Sequence, residues 1–327
     1  MTGLPGTGLD PGTRSLIRDY GISNFIIFAR NCENGPEALA GLCGEICKLC
    51  REEDLEALIA VDQEGGPVRR LKPPLFPGMP SPLEVLSSPD PGAKMAGLAK
   101  DAAALLNNAD INMNLAPVLD LCLEAEKNVL EGRCFGTEPQ QVARLGKIYI
   151  RTLQEQGILA TAKHFPGIGR VKLDPHFERP VVDASLKELA SDMLPFREAI
   201  RAGTAAIMTS HVVYSSIDPW RPATFSQEVA TRLLRRQLGF KGILLSDDLE
   251  MKGITKHGQI GQAAVEAFAA GHDLLLVCNS QENVLTCMES LARAVSEGII
   301  HEERLRASVS RLRQATETAK RAGQHPD

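Results

Sequence analysis

The sequence predicts an α/β protein, a (β/α)8 barrel of the TIM type built as a single domain over residues 1–327. Three observations predict it. Short β-rich apolar runs alternate with helical patterns from one end of the chain to the other, the arrangement of a parallel sheet covered by helices. Nearly every apolar run ends in a residue with chemistry, as in a barrel whose strand ends converge on one functional face. The first strand is followed by ARNCENGPE, not by the glycine-rich phosphate turn usual in a doubly wound sheet.

The strands are read at 25–29 (FIIFA), 57–61 (ALIAV), 111–118 (INMNLAPV), 159–163 (LATAK), 206–209 (AIMT), 242–246 (GILLS) and 273–277 (DLLLV). Helical periodicity covers 91–108, 139–156, 185–202, 226–237 and 261–270, and two further helices, 284–297 and 302–323, close the chain. Seven strands are clear; the pattern does not resolve an eighth. The residues met at the strand ends are Arg30, Asp62, Asp120, Lys163 with His164, His211, Asp247 with Asp248, and Asn279. No shift of composition marks a domain boundary.

Hydrophobic residues make up 43% and charged residues 24% of the chain, which excludes disorder as its main state. With 41 acidic and 36 basic side chains the net charge is −5. There is no electrostatic footprint for nucleic acid or an anionic membrane. No apolar run approaches the ~20 residues of a membrane span. The N-terminus lacks a basic segment followed by an apolar one, so no secretory signal is expected. A soluble, cytoplasmic protein is expected, monomeric or weakly oligomeric.

Eight cysteines lie at 32, 43, 47, 50, 122, 134, 278 and 287, and their spacing predicts free thiols in a reducing compartment. Cys43, Cys47 and Cys50 have a spacing that can hold an iron–sulfur cluster. They also recur with Leu39, Leu42, Ile46 and Leu49 at helical spacing after Pro36, which predicts a buried helix face instead.

Three segments carry chemistry. LATAKHFPGIGRVKLDPHFERP brings Lys163, His164, Asp174 and His176 into one strand end and its loop, where Gly167 and Gly169 permit a tight fold and close approach to a ligand. An aspartate two residues from a histidine can orient the imidazole and support its protonated form; an Asx-type turn with a solvated histidine is the alternative. LGFKGILLSDDLEMKGI ends a strand on Asp247, well placed for nucleophilic attack, with Asp248 directed elsewhere; the competing role for Ser246 or Asp247 is a cap near Leu249. VDQEGGPVRRL sets Asp62 before a Gly-Gly bend and Arg69 and Arg70 after it, a grip for a polyhydroxylated ligand or a surface ion pair. His164, Asp174, His176, His211 and Asp247 together are also enough for zinc, but no H-x-H or H-E-x-x-H spacing supports a metal and Lys163 would compete with it.

The runs FIIFARN, VDQEGGPVRRL, NLAPVLD, GRCFGTEP, KHFPGIG, DPH, MTSHVVY, RPATFS and LGFKGILLSDDLEMKGI together resemble glycoside hydrolase family 3. Within it they are most similar to the single-domain bacterial β-N-acetylhexosaminidases of peptidoglycan recycling. The resemblance spans about residues 20 to 280, and KHFPG and SDDLEMKG are its specific motifs. It implies Asp247 as nucleophile, His176 as general acid/base and Asp174 as its dyad partner. It implies that Asp62, Arg70, Arg133, Lys163 and His164 bind the non-reducing sugar. The activity implied is retaining hydrolysis of terminal β-linked N-acetylglucosamine, with a carbohydrate as the only partner, no cofactor and no metal. Two departures stand out: the family's KHFPGHGD reads KHFPGIGR, with Ile168 and Arg170, and its D-S-H reads Asp174-Pro175-His176. They leave open a weak or inactive sugar-binding member, and phosphate in place of water as acceptor. A β-glucosidase of the family would be expected to draw its acid/base from a second domain.

Overall fold

The computed structural model of the protein describes residues 1–123, 130–174, 179–251, 254 and 259–323, with the backbone alone at 172–174 and 179. Eight parallel strands form one sheet in sequential order: β1 (Thr2–Gly3), β2 (Asn24–Ile27), β3 (Leu58–Val61), β4 (Met113–Asn114), β5 (Leu159–Phe165), β6 (Ala206–Thr209), β7 (Ile243–Asp248) and β8 (Leu274–Leu276). A parallel bridge between Thr2 and Val277 closes it into a barrel, and the Val277 N–H donates to the Met1 carbonyl at 3.0 Å. The strand missed in the sequence is therefore the first. Two residues in a stretch rich in glycine and proline carry no hydrophobic period. Gly3 is required there, since a Cβ would stand 2.2 Å from the Cys278 carbonyl oxygen.

The helices are α1 (Pro11–Arg18), α2 (Pro36–Glu52), α3 (Pro82–Leu86), α4 (Pro91–Asn107), α5 (Pro139–Glu155), α6 (Leu186–Asp192), α7 (Leu194–Arg201), α8 (Glu228–Gln237), α9 (Ile260–Ala270), α10 (Gln281–Ser296) and α11 (Glu302–Gly323). The helix expected over 185–202 is two helices, because Pro195 lacks the N–H that would continue the first. α8 is a π-helix, with wider turns than expected. The strand expected over 111–118 shrinks to Met113–Asn114: Pro117 cannot donate, and the Asn112 and Asn114 side chains accept from Ile59 and Gln63 N–H instead.

Strand alternation sorts the core into two layers. Ile26, Leu58, Ala60, Met113, Leu159, Ala206, Met208, Ile243 and Leu245 fill the barrel interior. Phe25, Ile27, Ile59, Val61, Ala160, Ala162, Ile207 and Leu244 pack outward against the helices. A smaller sheet, Lys172–Asp174, Arg179–Val182, Val213–Tyr214 and Asp218–Pro222, is built from the loops that follow β5 and β6.

Cys43, Cys47 and Cys50 lie on α2, the first and last buried and Cys47 half-buried. Burial pushes the Cys50 thiol up to about 11, which leaves it protonated and unreactive at neutral pH. The expectation of free thiols throughout is corrected at one pair: Cys122 and Cys134 form a disulfide with Cα atoms 5.9 Å apart. A 12-residue separation holds no signal of this. Among the described residues no helix is long and apolar enough to cross a membrane.

Candidate active site

The inward rows of the barrel run on into charged residues. On β3 the sequence Leu58, Ala60 continues to Asp62. On β5, Leu159 and Thr161 continue to Lys163. On β7, Ile243 and Leu245 continue to Asp247. Period-two alternation thus carries three of the sequence-predicted residues toward the barrel axis at its carboxyl end.

There a chain of charges crosses three strand ends, those of β3, β4 and β5. Arg70 donates to Asp62 at 2.9 Å, and Lys163 Nζ reaches Asp62 at 2.8 Å and Glu64 at 2.6 Å. Glu64 accepts from Arg133 Nε and Nη2, both at 2.8 Å. Arg133 Nη2 lies 3.5 Å from His164 Nε2, and His164 Nδ1 lies 2.7 Å from Asp120. Asp120, fully buried, also accepts from the backbone N–H of His164 and Ile168. Burial alone would raise the Asp62 carboxyl, but Lys163 and Arg70 overcome it and hold Asp62 down at about 2. Burial likewise opposes the charge on Lys163, and its two carboxylates outweigh it. Among the described residues Arg70 Nε is buried with no hydrogen-bond partner. Arg69 is drawn away from this group and donates to the Met79 carbonyl.

Asp247 and Asp248 part company. The Asp248 carboxylate accepts from Glu250 N–H and Cys278 N–H and meets Asn279 Nδ2 at 3.4 Å, so it ties the end of β7 to the end of β8. Burial pushes it up to about 6. Asp247, half-buried, accepts from the Asp248 N–H at 2.8 Å. The capping role expected of Ser246 or Asp247 thus falls to Asp248, because it continues the outward row of β7.

Asp174 ends a strand that pairs antiparallel with Arg179–Val182, so it stands at the tip of a ribbon projecting from β5. Of its side chain nothing is described, and His176 lies outside the described residues. The two departures in the KHFPG loop have structural partners. Ile168 is buried in the outer core, and Arg170 pairs with Asp192 at 2.7 Å on α6. Gly169 is pressed against the protein: a Cβ would lie 2.0 Å from the Leu121 carbonyl oxygen. Glu64 escaped the sequence reading. Its signal was available in the D-x-E spacing after β3, which repeats the inward direction of Asp62. Among the described residues no three His, Cys, Asp or Glu side chains converge as a metal site.

A barrel whose carboxyl end gathers paired carboxylates, arginines, a lysine and an inward aspartate defines a class: an enzyme of the (β/α)8 type with a polar active site. Residues 9–315 match the glycosyl hydrolase family 3 N-terminal domain, and the chain belongs to that family. It is 37% identical over 298 residues to a β-hexosaminidase of Tolumonas auensis, covering 89% of this chain and 86% of the relative. A β-hexosaminidase of Pseudomonas aeruginosa is 33% identical, with 90% and 86% covered. Among solved structures, a family 3 β-N-acetylglucosaminidase from Paenibacillus superposes with a TM-score of 0.91 at 35% identity, covering all of this chain and 62% of that one. NagZ from Neisseria gonorrhoeae, solved with N-trifluoroacetyl-D-glucosamine, superposes with a TM-score of 0.80 at 32% identity, covering 99% and 93%. The protein is a glycoside hydrolase of the β-hexosaminidase type, and its substrate is a carbohydrate.

Proposed function

We propose that this protein is a retaining exo-β-N-acetylglucosaminidase that removes terminal β-linked N-acetylglucosamine from peptidoglycan fragments in the cytoplasm, with the whole chain acting as one catalytic barrel domain. The observation that carries the reading is the division of labour at the end of β7. Asp248 is spent on the loop backbone, while Asp247 continues the inward row beside the charged chain. Asp247 attacks the anomeric carbon and forms a glycosyl-enzyme. His176 gives a proton to the departing oxygen, then takes one from the attacking water. Asp174 orients the imidazole and offsets its charge. Asp62, Arg70, Arg133, Lys163 and His164 hold the sugar's hydroxyls. The relatives' β-hexosaminidase activity and the amino-sugar analogue on the Neisseria structure support N-acetylglucosamine as the sugar.

The test is turnover of an aryl N-acetyl-β-glucosaminide by wild type, Asp247→Asn and Asp248→Asn. Asp247→Asn should lower kcat by several orders of magnitude and leave sugar binding intact. A crippled Asp248→Asn beside a mild Asp247→Asn would reverse the assignment. A wild type that binds the sugar without turning it over would make it a sugar-binding protein, and dependence of turnover on phosphate would make it a phosphorylase.

A further inference from the structure

His211 follows β6 by two residues and is buried, yet the reaction as drawn gives it no task. Its ring bridges two loops. Nε2 lies 2.9 Å from the carbonyl oxygen of Asp248, and Nδ1 lies 2.6 Å from Thr224 Oγ1. A carbonyl oxygen only accepts, so Nε2 carries a proton and donates. Thr224 Oγ1 also lies 3.0 Å from the Ser210 carbonyl. Its single proton can go to Ser210, which makes the ring a cation, or to His211 Nδ1, which keeps it neutral. Burial, opposed by the negative charge of Asp247, moves His211 below the ordinary histidine value and favours the neutral form. In that form Thr224 selects the tautomer and Nε2–H stays aimed at Asp248.

The bonded carbonyl belongs to the residue next to Asp247. The same residue's N–H donates to the Asp247 carboxylate, and its side chain accepts from the loop after β8. Asp248 is thereby held on three sides, and His211 supplies the side that faces β6.

We propose that His211 is a positioning residue for hydrolysis: its Nε2–H fixes the Asp248 peptide and so aims the Asp247 carboxylate at the anomeric carbon. The proposal rests on Asp247 being the nucleophile. It is tested with kcat and KM for an aryl N-acetyl-β-glucosaminide in His211→Gln, His211→Asn and His211→Ala. The glutamine amide nitrogen stands where Nε2 stood and can donate to the carbonyl, whereas that of asparagine reaches only the place of Nδ1. His211→Gln should keep kcat within about threefold. His211→Asn and His211→Ala should lose about 100-fold in kcat, the order of effect that a misplaced reacting group of about 1 Å produces, with KM changed less than about twofold. Thr224→Val should lower kcat in the same direction and Thr224→Ser should not. If the alanine variant does not fold, the glutamine and asparagine variants carry the comparison. A glutamine variant as slow as the asparagine one, or a loss confined to KM, would overturn the proposal. A fully active His211→Ala beside a crippled Asp247→Asn would overturn it alone, whereas an active Asp247→Asn would remove the nucleophile reading and this proposal with it.

Discussion

Replacing Glu64 by glutamine keeps the shape of the side chain and removes one charge from the centre of the site. Glu64 is 1% exposed at its side chain and binds both Arg133 and Lys163, at 2.8 and 2.6 Å. A glutamine offers one oxygen where the carboxylate offered two, so its NH2 group must face a guanidinium N–H or the ammonium. Removing one partner of a buried ion pair costs about 3–5 kcal/mol. Lys163 keeps Asp62 at 2.8 Å, and the Arg133 side chain is 14% exposed. Both soften the loss, which places Glu64→Gln near the lower end, about 3 kcal/mol. At roughly 2 °C per kcal/mol for a large domain, Tm should fall by about 6 °C. Urea unfolding followed by circular dichroism should show a lower midpoint at unchanged slope. On the proposed assignment of Arg133 and Lys163 to the sugar, KM should rise as well. A loss below about 1 kcal/mol with an unchanged KM would show that other contacts hold these two cations, and the argument from the charged chain would fail.

His176→Ala should cost about 10²–10⁴-fold on a disaccharide, whose sugar alkoxide needs a proton to leave, and far less on an activated aryl glycoside; equal losses on both would assign His176 to sugar positioning only. Asp62 is depressed from 3.8 to about 2 in the folded protein, so it contributes about 2 kcal/mol of stability that is complete above pH ~4 and lost as pH falls through about 2. The stability difference between wild type and Asp62→Asn, read from urea midpoints, should therefore shrink across that window, and a difference independent of pH would refute the ion-pair account.

What the sequence determined by itself is whatever a strand or helix decides locally. Alternation on short apolar runs was enough for the barrel, and it set the direction of Asp62, Lys163 and Asp247, because successive side chains on a strand point to opposite faces whatever the strand packs against. The same rule separates Asp247 from Asp248, and it could have brought out Glu64. The helical period was enough to bury Cys43 and Cys50. Only the tertiary structure decided the pairings between distant segments. Arg133 reaches Glu64 across 69 positions, Lys163 reaches Asp62 across 101, and the first strand is a strand because Thr2 and Gly3 pair with Phe25 and Ile26 and Val277 closes on Thr2. No local period encodes such contacts. They form where the carboxyl ends of separate strands converge, and the energy of a buried charge depends on which opposite charge the fold brings to it.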